Sequence, residues 1–184
     1  MRLTALLAIA LVGCSEPEPP PTLLPVPVFE LTSQAGQPFG SEQLRGDVWI
    51  ANFIFTNCPT ICPTLTSQMK ELTETLSDTP VRYVSFSVDP ENDTPAVLTD
   101  YAEERGADTT RWTFLTGANE TVEEVVVRGL RMRMGEEPDE TGNILHGSHF
   151  VLVDGTGTIR GYYESNVEGL RDIAEDARLL TETD

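Results

Sequence analysis

Residues 48–55 are almost entirely apolar, and a pair of cysteines follows them closely. An apolar run of this length, bounded by polar residues, is typical of a strand that is buried on both faces of a sheet. The next residues, 56–63, read Thr-Asn-Cys-Pro-Thr-Ile-Cys-Pro and include Cys58 and Cys62. Apolar residues then recur at spacings of four, three and four from Leu65 to Leu76, which predicts an amphipathic helix. The sequence therefore predicts a central strand, a cysteine loop and a helix in direct succession.

Strand and helix patterns also alternate through the rest of the chain. Strands are predicted at residues 27–31, 81–88, 111–116, 149–153 and 158–163, and helices at residues 41–46, 94–105, 119–126 and 167–180. Thr94 and Asn119 are predicted helix N-caps, and Gly106 is a predicted helix stop. The last two strands are joined by Asp-Gly-Thr-Gly at residues 154–157, which is a hairpin signal. Residues 135–143 are polar and are predicted to form a loop.

This order predicts an α/β fold in which a central mixed sheet is flanked by helices and carries an inserted β-hairpin. A cysteine pair at the junction between a core strand and the next helix is typical of the thioredoxin layout. We therefore expect one thioredoxin-like domain over residues 26–184, a length that suits a single hydrophobic core.

The beginning of the chain is predicted to be a targeting segment. Residues 3–12 form an apolar run that is too short to span a bilayer, and Cys14 follows soon after it. The pattern resembles a bacterial lipobox, in which cleavage precedes the cysteine and that cysteine is lipidated. The alternative is an ordinary signal peptide with a cysteine there by chance. We expect residues 1–13 to be a lipoprotein signal peptide.

Residues 14–25 are acidic and rich in proline, so they predict an extended, solvated tether between the lipid and the domain. The expected location is extracytoplasmic, as a bacterial cell-membrane lipoprotein. The formal net charge of −18 makes nucleic acid an unsuitable partner, because phosphate backbones would be repelled. The same acidity fits either solubility or a basic partner.

Apart from Cys14, the chain has two cysteines, and they lie four positions apart. In an oxidising compartment such a pair is either a small disulfide loop or a working dithiol and metal site. Residues four apart share one face of a helix. The N–H groups and partial positive charge of a helix N-terminus favour a thiolate, which both disulfide exchange and metal binding require.

Copper and zinc both accept an imidazole beside thiolates, and the chain has two histidines, His146 and His149. In thioredoxin-like folds the segment that enters the third core strand faces the dithiol, and His146 lies in that segment. His149 begins the alternating strand and is expected to be packed or exposed. The candidate metal ligands are therefore Cys58, Cys62 and His146.

Several segments together resemble the Sco/SenC family of copper-binding, thioredoxin-like proteins. Residues 53–63 resemble its Cys-x-x-x-Cys-Pro signature, residues 87–95 its Ser-Val-Asp-Pro…Asp-Thr-Pro segment, and residues 114–117 its Leu-Thr-Gly turn. His146 and residues 150–157 fall where the family has its copper histidine followed by a hairpin. The resemblance covers residues 26–165. Thr60 and Leu145 stand where many members have acidic residues.

The resemblance implies a copper site made of Cys58, Cys62 and His146, holding Cu(I), Cu(II) or both. Thiolates are soft ligands and suit Cu(I) well. Family members are associated with assembly of the binuclear copper centre of cytochrome c oxidase. The implied partners are the oxidase subunit that bears this centre, or another copper client, together with a dithiol donor and the membrane that holds the lipid anchor.

The alternative function is a thiol–disulfide oxidoreductase that keeps extracytoplasmic cysteines reduced. Cys58 would then be the nucleophile and Cys62 the resolving cysteine, and His146 would not be needed. A peroxidase is a weaker alternative because it needs a different local motif. A structural zinc site is also weaker because two thiolates and one imidazole leave one position open.

Three other residues have two interpretations each. Asp89 is either an outer-sphere group near the dithiol or a turn residue after a strand. Met132 and Met134 are either soft auxiliary ligands or, as we expect, packing residues.

Overall fold

A seven-stranded mixed sheet forms the centre of the protein in the computed structural model, which describes residues 18–58, 61–132 and 148–183. The strands are β1 (Glu30–Ser33), β2 (Pro38–Gly40), β3 (Trp49–Ile54), β4 (Arg82–Ser87), β5 (Trp112–Thr116), β6 (His149–Val153) and β7 (Ile159–Glu164). The helices are α1 (Ile61–Thr75), α2 (Pro95–Glu104), α3 (Asn119–Glu123) and α4 (Val167–Thr183), with a 3-10 turn at Ser41–Leu44 and a π-helical segment at Glu124–Gly129.

The strand order is β2-β1-β5-β4-β3-β6-β7. Strand β4 lies between β3 and β5 and is parallel to both. Strand β6 runs antiparallel to β3 and forms a hairpin with β7. Helices α1 and α2 make the two crossovers between the parallel strands. The predicted mixed sheet flanked by helices, with its β-hairpin, is confirmed.

The sheet has an apolar core on each face. We call the cluster that contains Cys58 and Cys62 the dithiol core; it packs α1, α2 and α4 against the sheet. The opposite core packs α3, the π-helical segment and the 3-10 turn on the other face. Every residue of β3 is buried, as its apolar sequence predicts for a strand with both faces covered.

Helix α1 follows the predicted amphipathic pattern. Leu65, Met69, Leu72 and Leu76 are each at most 1% exposed and belong to the dithiol core. At α2 the predicted N-cap is also confirmed, because the Thr94 side chain accepts a hydrogen bond from the Val97 amide.

One predicted strand start and one predicted helix cap are wrong. Strand β1 begins at Glu30 and not at residue 27, because its ladder with β2 starts at the Glu30–Gly40 pair. Val28 is 78% exposed. Asn119 is not the N-cap: Ala118 has the extended backbone of the cap position, with no side-chain cap hydrogen bond, and Asn119 is the first residue of α3.

Residues 20–26 lie along β7. The Leu23 amide donates to the Ile159 carbonyl at 2.9 Å, and the Ile159 amide donates to the Leu24 carbonyl at 2.8 Å. The Arg160 guanidinium donates to the carbonyls of Pro20 and Pro21. Half of the stretch that the sequence predicts to be a tether is thus in contact with the hairpin.

The predicted signal peptide, Cys14 and the predicted loop at 135–143 lie outside the described residues. Among residues 18–58, 61–132 and 148–183, no helix is long and apolar enough to cross a membrane.

Asp154 holds the β6–β7 turn. One carboxylate oxygen accepts from the Thr156 amide and hydroxyl and from the Thr158 amide, and the other accepts from Arg160 at 3.0 Å. Burial alone would raise the pKa of Asp154, but these hydrogen bonds outweigh it and hold the pKa below its usual value. Asp154 therefore stabilises the hairpin in its charged form.

Replacing Asp154 with Asn removes that charge, and we expect a loss of about 1–2 kcal/mol of unfolding free energy near neutral pH. A lowered pKa means that the contribution is present above the unfolded-state value near 3.8 and is lost as the pH falls below it. The gap between the two proteins in urea denaturation should therefore narrow as the pH falls below about 3.8. Asp172→Asn is the control, since Asp172 is half exposed and its pair with Arg171 is on the surface; equal losses in both variants would contradict the assignment.

Candidate metal and redox site

The cysteine pair lies where β3 ends and α1 begins. The Cys58 amide donates to the Phe55 carbonyl at 3.2 Å, which turns the chain after the strand. The Cys62 amide then donates to the Cys58 Sγ at 3.3 Å. Cys62 is in the first turn of α1 and Cys58 just precedes the helix, as the spacing predicts. Both cysteines are reduced, and their exposed fractions are only 8% and 3%.

The two thiols have different surroundings. The pKa of Cys62 is raised to about 12. Burial is the largest cause, followed by the hydrogen bond with Cys58, and the charges of Cys58 and Asp93 act in the same direction; a backbone hydrogen bond with Phe55 opposes them. The expectation that the helix N-terminus makes a thiolate of each cysteine does not apply to Cys62, because burial outweighs the helix field.

The sulfur of Cys58 is the hydrogen-bond acceptor of the pair. Its Sγ accepts the Cys62 amide, and an N–H that is donated to a sulfur stabilises charge there. Cys58 is also the more exposed of the two. The pair is therefore asymmetric, with the accepting sulfur on the side of the loop and the buried thiol on the helix.

A buried carboxylate, Asp93, holds the base of the cysteine loop. It is 0% exposed, and it accepts the Thr56 amide at 3.2 Å, the Thr56 hydroxyl at 2.5 Å and the Ser87 hydroxyl at 2.6 Å. The register of β3 and β4 pairs Ile54 with Ser87, so the two chain segments leave the sheet at the same edge. Asp93 thus joins the loop before Cys58 to the turn before α2.

The sequence left Asp89 with two interpretations and did not single out Asp93. The Asp89 carboxylate accepts the exposed amide group of Asn92 at 2.9–3.0 Å, while the Asp89 amide donates to the Ser87 hydroxyl. Both aspartates belong to the Ser-Val-Asp-Pro…Asp-Thr-Pro segment. No sequence signal separates Asp93 from Asp89, because the contacts of Asp93 with Thr56 and Ser87 arise only in the folded chain.

His149 is on the face away from the cysteines. Phe150 and Leu152 belong to the dithiol core, whereas Val151 and Val153 belong to the opposite core. Side chains alternate along a strand, so His149 shares the face of Val151 and Val153. Ser148, directly before β6, accepts a hydrogen bond from the Ser165 amide at 3.0 Å. The antiparallel pairing of β6 with β3 brings this start of β6 to the edge where the cysteine loop leaves.

His146 and Met134 lie outside the described residues. Met132 is 8% exposed and belongs to the opposite core, so it packs as expected. Within the described part of the chain, no three His, Cys, Asp or Glu side chains are grouped so that they could hold a metal ion. A metal site with Cys58 and Cys62 would need a further ligand from the rest of the chain.

The profile of the SCO1/SenC family matches residues 20–181. This chain belongs to the SCO1/SenC family. A relative from Bacillus subtilis, the SCO1 protein homolog, is 38% identical over 134 residues, which are 71% of this chain and 69% of the relative.

Two solved structures share the fold. BsSco, a member of the Sco family of cytochrome c oxidase assembly proteins in which a disulfide switch was identified, is 34% identical with a TM-score of 0.76, over 90% of this chain and 97% of the other. Bradyrhizobium japonicum ScoI with copper bound is 25% identical with a TM-score of 0.69, over 84% of this chain and 98% of the other. The predicted thioredoxin-like fold of a Sco/SenC protein is confirmed.

Asp93→Asn tests the role of the buried carboxylate in this SCO1/SenC protein. Asparagine keeps the size but removes the charge and turns an N–H₂ toward donors, so we expect a loss of about 1.5–3 kcal/mol in urea denaturation. Asp89→Asn is the matched control four residues away and should change stability by no more than about 0.5 kcal/mol. If the two variants lost the same stability, Asp93 would not be the residue that holds the loop.

Proposed function

We propose that this protein binds one copper ion through Cys58, Cys62 and His146 and delivers it to a copper-containing client. The observation that carries the proposal is the reduced, buried cysteine pair, joined by an N–H···S hydrogen bond at the end of the central strand. Two thiols in this arrangement offer soft ligands on one turn of chain. The copper-bound structure of B. japonicum ScoI supports the choice of metal.

The charge balance around the pair also supports a cation. Two thiolates next to the buried Asp93 carboxylate would be three negative charges in a dry region, and such groups are neutralised by protons or by a metal ion. Without metal, the raised pKa of Cys62 means that this sulfur keeps its proton. Copper binding is then an exchange of protons for metal, and release is the reverse.

His146 is proposed as the third ligand, and His149 is excluded by its face of β6. An imidazole suits both Cu(I) and Cu(II), so either oxidation state fits this donor set. The proposed client is the cytochrome c oxidase subunit that bears the binuclear copper centre, supported by the place of BsSco among the oxidase assembly proteins. A dithiol donor is needed as well, because only the reduced pair can bind the metal.

We also propose that the protein works outside the cytoplasm, held to the membrane by a lipid on Cys14. The support is the sequence: a short apolar run, then Leu-Val-Gly-Cys at residues 11–14, then an acidic, proline-rich stretch. Because residues 20–26 lie along β7, the reach toward a membrane-bound client would come from the part of this stretch before residue 20.

Anaerobic copper titration of the reduced protein, residues 15–184, tests the copper site. We expect one copper per chain, no tight binding by Cys58→Ser, and a loss for His146→Ala that exceeds the roughly 100-fold upper range for outer-sphere partners. His149→Ala is the matched control and should bind like the wild type. Unchanged binding in His146→Ala, or equal losses in the two histidine variants, would refute the three-ligand site.

The asymmetry of the pair favours a second function, thiol–disulfide exchange. Cys58 is the more exposed cysteine and its sulfur accepts an amide N–H, whereas Cys62 is held as a buried thiol. This is the division expected for a nucleophile and a resolving cysteine. His146 has no part in this chemistry.

Trapping with a small aromatic disulfide separates the two cysteines. Cys62→Ser should form a mixed disulfide at Cys58, because attack still occurs and resolution does not. Cys58→Ser should react at least about tenfold more slowly, since the remaining thiol is buried and protonated. Mass spectrometry of the adducts measures both rates. Faster trapping at Cys62 would reverse the assignment.

A further inference from the structure

A chain of hydrogen bonds connects α2 to the backbone of Cys62. The Thr66 hydroxyl donates to the Cys62 carbonyl at 2.8 Å, and Thr66 Oγ1 is also 2.8 Å from Tyr101 Oη. Thr66 has one hydroxyl proton, which is used on the carbonyl, so Tyr101 must be the donor in the second bond. The direction is therefore from Tyr101 to Thr66 to Cys62.

All three members are removed from solvent. Cys62 is 3% exposed, Thr66 1% and Tyr101 5%. In such a region no water is at hand to replace a lost partner, so deleting one hydroxyl leaves the next group unsatisfied. A chain of this kind also polarises along its length, which strengthens each bond.

The Tyr101 ring is held firmly. It packs edge-to-face on Phe114 with 6.2 Å between ring centroids, and the Arg105 guanidinium lies over it at 4.9 Å. A threonine that bonds to the carbonyl four residues back is common in helices and worth little alone. Here the threonine is itself bound by a residue 35 positions away on another helix.

Burial raises the pKa of Tyr101, so the phenol keeps its proton at neutral pH and remains the donor to Thr66.

We propose that Tyr101 is a positioning residue that acts through Thr66 to hold Cys62, and with it the first turn of α1, in the geometry of the reduced pair. The inference rests on the proposed function insofar as Cys58 and Cys62 are working thiols. Oxidation by glutathione disulfide forms the Cys58–Cys62 bond, breaks the glutathione S–S bond and yields two glutathione thiols, which take up the two protons and two electrons. The structure shows this chain of bonds with both thiols reduced, and the proposal is that closing the disulfide weakens it, so losing the chain shifts this equilibrium toward the protein disulfide.

The experiment is equilibration of the full chain in glutathione redox buffers, with Tyr101→Phe, Thr66→Val and the double variant. Each single variant should favour the disulfide by threefold to tenfold, and tenfold corresponds to about 30 mV for this two-electron couple. The double variant should shift no further than the larger single shift, since both act through one chain of bonds. Thr66→Ser, which keeps the hydroxyl, should restore the wild-type equilibrium.

Tyr83→Phe is the matched control. Tyr83 is a buried tyrosine of the dithiol core whose hydroxyl donates to the Leu72 carbonyl of α1 at 3.3 Å, about three turns from Cys62. The Tyr83→Phe variant should be less stable to urea, but its equilibrium between dithiol and disulfide should match that of the wild type. If Tyr101→Phe left the equilibrium unchanged, or Tyr83→Phe moved it equally, the inference would be overturned.

The redox measurement contains no copper, so it can contradict the role of Tyr101 without bearing on the proposed copper binding, and the reverse also holds. Absence of copper binding in the wild type would remove the proposed metal function and leave the redox shift to decide the role of Tyr101. Urea denaturation of each variant shows whether it is folded. If Thr66→Val does not fold, comparing the single variants Tyr101→Phe and Thr66→Ser still tests the inference.

Discussion

The position of the cysteine site depends on the hydrogen bonds that the buried Asp93 carboxylate accepts. Among its hydrogen bonds in the structure are those from the Thr56 amide and hydroxyl and from the Ser87 hydroxyl. Burying a charge is costly unless hydrogen bonds compensate for it, so these donors cannot move far without a large loss of stability. The loop that carries Cys58 therefore starts from a fixed point at the end of β3, and the position of the first cysteine follows from that point.

The same carboxylate makes the site unsuitable for two bare thiolates. Its charge adds to burial in raising the pKa of Cys62. A positively charged side chain at this position would stabilise two reactive thiolates. This site instead has the negatively charged Asp93 carboxylate. A proton, a second sulfur or a metal ion can each relieve that repulsion, which makes protonation, disulfide formation and copper binding three competing ways to satisfy one local field.

The sequence predicted a strand or helix correctly where the pattern of apolar residues within that segment was enough to define it. Strand β3 is apolar throughout and α1 repeats its apolar residues at helical spacing, so both were predicted within a few residues. The start of β1 could not be, because the pairing of Glu30 with Gly40 decides it and a partner strand is not visible in the pattern of residues 27–31. Asn119 failed for a similar reason, since the backbone of Ala118 had already taken the cap position.

The site divides in the same way. Cys58 and Cys62 are evident from spacing, and His149 could be set aside only when the two cores showed which face of β6 it occupies. Asp93 and Tyr101 could not be selected from sequence. Asp93 lies in a turn that also contains Asp89. Tyr101 lies on the apolar face of the amphipathic helix α2, where an aromatic residue is expected in any case. Their roles come from contacts that span more than thirty residues, 37 for Thr56–Asp93 and 35 for Thr66–Tyr101.

These two contacts come from one short stretch of chain, which has a consequence for how the site can change. Asp93 immediately precedes the Thr94 cap of α2 and binds before Cys58, whereas Tyr101 is inside α2 and acts after Cys62. The cysteine loop is therefore held at both ends by the same element. A displacement of α2 relative to the sheet would change both attachments together, while the N–H···S bond between the cysteines is internal to the loop. The position of α2 relative to the sheet therefore helps to set both where the loop leaves β3 and where Cys62 enters α1.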